Sequence, residues 1–168
     1  MWRQIAVAVL AVVLAIALEL TIFARLDFPG ATPPLLVVVV CALAMSMGPI
    51  PGAIIGFGAG LAMDVAPPND GLIGLNALVL LVVGFSVGYL YYAAERPVLL
   101  TLGVVALAAG AVPLAVAAVS ATLGSTRVIW ESVPAMVVAS IVYALIMTPF
   151  IVPGLSWLVR KARAAGPA

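Results

Sequence analysis

The stretch GPIPGAIIGFGAGLAMDVAPPNDGLIGLNAL, Gly48 to Leu78, decides how this chain is read. Within it Gly52, Gly56 and Gly60 recur every fourth residue, and Asp64 stands at the next step of the series. On a helix of about 3.6 residues per turn, that spacing gathers three absent side chains along one stripe ending in a carboxylate. A bare stripe lets a neighbouring helix backbone come close, which is how helices associate where the surrounding solvent is as apolar as they are. The stretch breaks at Pro67-Pro68-Asn69-Asp70-Gly71 and restarts at Gly74-Leu75-Asn76-Ala77-Leu78, so it reads as helix, turn and helix start. The remaining segments are apolar helices able to surround it.

Composition sets the solvent. The 168 residues are 66% hydrophobic and 8% charged, with a mean hydropathy of +1.35. A soluble domain carries about 25% charged residues, so too few are present to coat a surface that faces water. The expected class is a single all-α integral membrane domain over residues 1–168. A net charge of +1 leaves no basic face for nucleic acid. Cys41, the only cysteine, sits within an apolar run and reads as a small core residue. The chain has no histidine, so Ser/His/Asp and Cys/His arrangements cannot be assembled, and no metal-ligand cluster is visible. Gly56-Phe57-Gly58-Ala59-Gly60 lacks the Gly-Lys-Ser/Thr of a phosphate loop. Neither a catalytic residue nor a cofactor is expected.

Six apolar segments can be drawn, at residues 4–24, 33–47, 52–65, 72–92, 98–123 and 132–158. A full crossing takes roughly 20 residues. The second and third are short, and the Pro49-Ile50-Pro51 turn between them is expected below the membrane surface, shielded by protein or water. An alternative makes 33–65 one broken or re-entrant element. The first segment imitates a signal peptide, with Ala15-Ile16-Ala17 as a cleavage site, yet its apolar run continues to Ala24. It reads as a retained helix. With six spans and a cytoplasmic amino terminus, Arg3, Arg96, Arg160, Lys161 and Arg163 lie inside while Arg25 and Arg127 lie outside. Five spans would export the basic tail against the positive-inside rule. Both termini are therefore expected in the cytoplasm, the tail anchoring on anionic lipids. Pro113, Pro149 and Pro153 are expected to kink the fifth and sixth helices.

Intramembrane carboxylates are costly, at roughly 2.5–3.5 kcal/mol near mid-bilayer, and usually face inward and pair. Two readings of Asp64 stay open. It is either a polar contact to a partner segment or ligand head group, or a buried acceptor for backbone donors of the following turn and helix start. Glu19 is expected to pair with Arg127 or an outer-loop donor, with proton coupling as the sharper alternative. Asp70 and Asn76 read as turn and first-turn residues that satisfy free N–H groups. With Arg127 and Glu131 these residues form an outer polar cluster. Gly52, Gly56, Gly60, Gly84 and Gly88 read as packing positions whose neighbour is either internal or another chain, so a homo-oligomer is an open expectation.

The central stretch resembles the rod-shape-determining protein MreD family. Gly56-Phe57, Gly60, Asp64-Val65 and Gly74-Leu75-Asn76-Ala77-Leu78 match its Gly-Phe-x-x-Gly-x-x-x-Asp-hydrophobic pattern and the glycine shortly before Ala-Leu. Pro33-Pro34-Leu35-Leu36 and Val159-Arg160-Lys161 resemble the start of that family's second segment and its basic end. The sequence departs in the doubled Pro67-Pro68 and in its Ala/Val-rich helices. The resemblance implies a non-enzymatic scaffold of the bacterial elongation machinery. Its expected partners are an MreC-like single-span protein and, through it, MreB and RodA with a class B penicillin-binding protein. Such chains are also similar in architecture to the six-helix substrate-binding subunits of energy-coupling-factor vitamin transporters, the competing expectation.

Overall fold

The structure is a computed structural model that describes residues 2–21, 33–66, 73–93, 98–122 and 132–164. Among the described residues it is entirely helical: α1 Trp2–Thr21, α2 Leu35–Met47, α3 Pro49–Val65, α4 Leu75–Ala93, α5 Val98–Thr122 and α6 Val133–Ala164. Three of these, α1, α5 and α6, are long and apolar enough to cross a membrane, while α2, α3 and α4 are shorter apolar helices.

The helix at the centre is α2, which corrects the expectation that the others surround α3. Every residue from Leu35 to Ala44 is buried, and α2 touches all five other helices. Its sequence, LLVVVVCALAMSM, offers no polar side chain before Ser46, and a helix apolar all round belongs in an interior. Ser46 returns its hydroxyl proton to the Ala42 carbonyl at 2.8 Å. Cys41 is fully buried among these residues. The outer helices show the reverse pattern. On α1, Ala8 and Ala15 face inward while Val9, Leu10 and Val13 stay more than half exposed. Leu107 on α5 and Phe150 on α6 are 74% and 78% exposed. An apolar interior inside an equally apolar exterior is the pattern of a protein dissolved in lipid, because soluble monomers rarely expose large contiguous apolar patches.

The helix boundaries differ from the sequence expectation where turn chemistry outweighs hydropathy. Pro49 and Pro51 do not form a separate turn: they lie in the first turn of α3, where a missing N–H leaves no bond unmade. The whole link between α2 and α3 is Gly48, at φ +98°, a conformation glycine adopts without steric cost. It is locked by Gly48 N–H to the Ala44 carbonyl (2.8 Å) and Gly52 N–H to the Gly48 carbonyl (3.0 Å). The fourth helix starts at Leu75 rather than residue 72, because Gly74 (φ +97°) breaks the chain just before it. The sixth continues to Ala164, so Arg160, Lys161 and Arg163 stand on the helix itself. Helices α5 and α6 run on through Pro113, Pro149 and Pro153.

Candidate functional site

The glycine stripe of α3 lies against α4 of the same chain, and these two helices form the most extensive helix pair. They run antiparallel in a fixed register. A side chain at Gly52 would strike the Gly84 carbonyl, one at Gly56 the Leu80 carbonyl, and one at Gly60 the backbone of Asn76 and Ala77. In return, a side chain at Gly84 would strike Gly52, and one at Gly88 would meet Gly48 and Pro49. Each contact advances four residues on α3 and retreats four on α4, so the bare stripes face each other along the whole pair. Gly52 also sits against Ala44 of the central helix, its absent Cβ 2.8 Å from the alanine methyl. The question left open by the sequence is settled geometrically: the neighbour of the stripe is internal.

Asp64 closes the seam. It is only 2% exposed. Its Oδ2 accepts the N–H of Gly74 at 2.8 Å and of Ala77 at 3.2 Å, and its Oδ1 accepts the side-chain amide of Asn76 at 2.8 Å. The first N–H groups of a helix have no intrahelical partner. Gly74 has no side chain with which to cap α4, so the carboxylate of α3 supplies the acceptor, where negative charge also suits the positive end of the helix dipole. This is the buried-acceptor geometry for Asp64. Asn76 lies in the first turn of α4 as expected, but its role is corrected: its side chain donates to Asp64 rather than accepting free N–H groups.

Glu19 repeats the arrangement one helix pair earlier. Its Oε2 accepts the N–H of Leu36 at 3.0 Å, in the first turn of α2. The residue that precedes α2 is Pro34, which makes no side-chain cap. Glu19 thus meets a backbone donor on α2; its expected partner Arg127 and the outer-loop donors lie outside the described residues. Two carboxylates on odd-numbered helices each cap the helix that follows. Among the described residues, no buried side-chain oxygen or nitrogen lacks a hydrogen-bond partner. Of the expected outer polar cluster, Glu19, Asp64 and Asn76 share one end of the bundle. Asp70, Arg127 and Glu131 lie outside the described residues.

The opposite end holds Gly48, the start of α1 and the end of α6. There the Arg163 guanidinium donates to the Ser46 carbonyl at 3.0 Å, tying α6 to the last turn of α2. The Lys161 ammonium lies 4.8 Å from the centre of the Trp157 ring, a cation–π pair. Sequence reasoning missed the Arg163–Ser46 tie; the signal available was only a basic run at a helix end, which favours the dipole there. Outward on the paired helices stand Ile54, Phe57, Leu61 and Val65 of α3 and Leu78, Val82 and Phe85 of α4. Phe85 stacks on Tyr89 with ring centres 6.3 Å apart.

The chain matches no protein-family model, no curated protein and no solved structure. Among the described residues no group of three or more metal-ligating side chains occurs.

Proposed function

We propose that this chain is a six-helix bundle of the bacterial cytoplasmic membrane, both termini cytoplasmic, that works as a non-enzymatic scaffold of the cell-elongation complex. In this reading it is an MreD-like subunit. It holds an MreC-like single-span protein and, through it, MreB and RodA with a class B penicillin-binding protein. The observation that carries the reading is the α3–α4 seam. The residues that resemble the MreD pattern, Gly56, Gly60, Asp64 and Gly74, are among those that lock the two helices together. A rigid, latched pair presenting an apolar outer face of Phe57, Leu61, Leu78 and Phe85 suits a part that holds other membrane helices.

What supports this orientation is the grouping of Arg3, Arg160, Lys161 and Arg163 at one end, with Glu19 and Asp64 at the other. The short helix α2 is accommodated because it is wrapped by protein and needs no contact with lipid. The vitamin-transporter alternative asks the Glu19–Asp64 end to offer polar groups to a ligand. Glu19, Asp64 and Asn76 all bond to the chain's own backbone or to each other, which supports the scaffold reading over it. The test is a pull-down of the full chain from its native membrane. Cell-wall synthesis proteins are expected to accompany it. Transporter ATPases in their place, or a vitamin released on denaturation and seen by mass spectrometry, would overturn the proposal.

A further inference from the structure

Helices α1 and α3 touch each other sparsely, and between them lies an open groove of about 580 Å³. It starts at the cationic end of the bundle, between Gln4 on α1 and Met47 and Pro51 beside the Gly48 link. It runs to Val13 on one wall and Ala62 on the other, with Gly58 in the α3 wall. At about 1.5 Å per residue its walls are roughly 14–16 Å long. That is about half of a ~30 Å hydrocarbon core, the depth of a single leaflet. A membrane-spanning partner helix would need a trough of about twice that length.

Basic residues adjoin the residues that line the mouth. Arg3 adjoins Gln4 on one wall, and Arg163 is tied to Ser46, next to Met47 on the other. Arg160 and Lys161 stand on the same end of α6, and among the described residues no carboxylate lies there. The start of α1 adds the positive end of its helix dipole. An apolar slot one leaflet deep beneath a cationic rim complements one kind of molecule.

We propose that the α1–α3 groove holds one acyl chain of an anionic phospholipid, with the lipid phosphate between Arg3 and Arg163. The proposal rests on the membrane reading above and is independent of the elongation-complex partners. Gly58 is the discriminating position, because it lines the groove and a Cβ there meets nothing within 4 Å, which leaves room to introduce a side chain into the groove.

The experiment reconstitutes the full chain in phosphatidylcholine vesicles and measures the motionally restricted fraction of spin-labelled phosphatidylglycerol and, separately, of spin-labelled phosphatidylcholine. The expected result is selectivity for phosphatidylglycerol that falls about fivefold for Arg3→Gln and again for Arg163→Gln, and that Gly58→Phe abolishes at unchanged helicity. Arg3→Gln alters an exposed side chain and keeps the test decisive if Gly58→Phe or Arg163→Gln fails to fold. Equal retention of the two lipids by the native chain overturns the groove proposal, as does selectivity that survives in folded Gly58→Phe. A photo-reactive residue at Ile54 that couples to a protein rather than to lipid in native membranes overturns it in favour of a partner helix. A chain that does not float with vesicles at all overturns the membrane reading together with the groove.

Discussion

A single methyl group, placed at Gly56 or at Gly58, separates seam packing from every other effect of a glycine-to-alanine change. Both residues lie on α3 two positions apart, and both gain the same helix-propensity benefit of about 1 kcal/mol. At Gly58 the new methyl points into open space. At Gly56 it would stand 2.8 Å from the Leu80 carbonyl carbon and 3.3 Å from the Leu81 nitrogen, both backbone atoms that cannot rotate away. The two helices must part by more than half an ångström at that crossing. A gap of 0.5–1 Å forfeits about a quarter to a half of each dispersion contact it opens, and overpacking of this kind costs about 1–3 kcal/mol. The propensity terms cancel between the two variants, so the whole of that cost appears as the difference between them. For a chain of this length about 1 kcal/mol moves the melting temperature by about 2–4 °C. Gly56→Ala should therefore melt about 2–12 °C below Gly58→Ala in the same detergent, followed by circular dichroism. Coincident melting curves would refute the claim that the backbones of α3 and α4 are in contact at Leu80.

The carboxylate latch and the orientation can be checked with similar economy. Asp64→Leu leaves the Gly74 and Ala77 N–H groups without an acceptor, at about 1–3 kcal/mol for each group stranded, whereas Asp64→Asn keeps one acceptor oxygen and folds. Asn76→Asp sets two carboxylates against each other and should lower the melting temperature, and the exchange Asp64→Asn with Asn76→Asp should restore most of the loss; no restoration would mean the pair is not coupled. For topology, Cys41 is buried and unreactive, so Ala162→Cys supplies the thiol to follow. An impermeant maleimide should label it only after cell lysis, and labelling in intact cells would reverse the proposed orientation.

The number of helices was legible because Gly, Pro and Asp cluster between long apolar runs, and such breakers are strong punctuation in a hydrophobic chain. The stripe was legible for the same reason, since absent side chains at a spacing of four have few other uses in an apolar helix. The partner of the stripe was not, because small residues at Gly84 and Gly88 serve an internal helix and a foreign one equally well. Nor was the central place of α2. Leu35 to Ala44 carries no polar marker to tell an inward from an outward face, and lipid-facing and core-facing side chains are drawn from the same set. The role of Glu19 was hidden by the gap in sequence between it and Leu36. Pro34 precedes α2 and offers no side-chain cap, so the first turn needs an acceptor from elsewhere, a need that the spacing between Glu19 and Leu36 does not show.

The two caps crossing from one helix to the next also constrain how such a chain enters a bilayer. Glu19 finds the Leu36 N–H only once α2 lies beside α1, and Asp64 finds Gly74 and Ala77 only once α4 lies beside α3. In the proposed six-span arrangement, α1 or α3 released alone would carry a bare carboxylate toward hydrocarbon, a step disfavoured by up to about 3 kcal/mol. Biogenesis is therefore expected to proceed by hairpins, α1 with α2 and α3 with α4. The single-residue elbow at Gly48 then folds the second hairpin directly back onto the first.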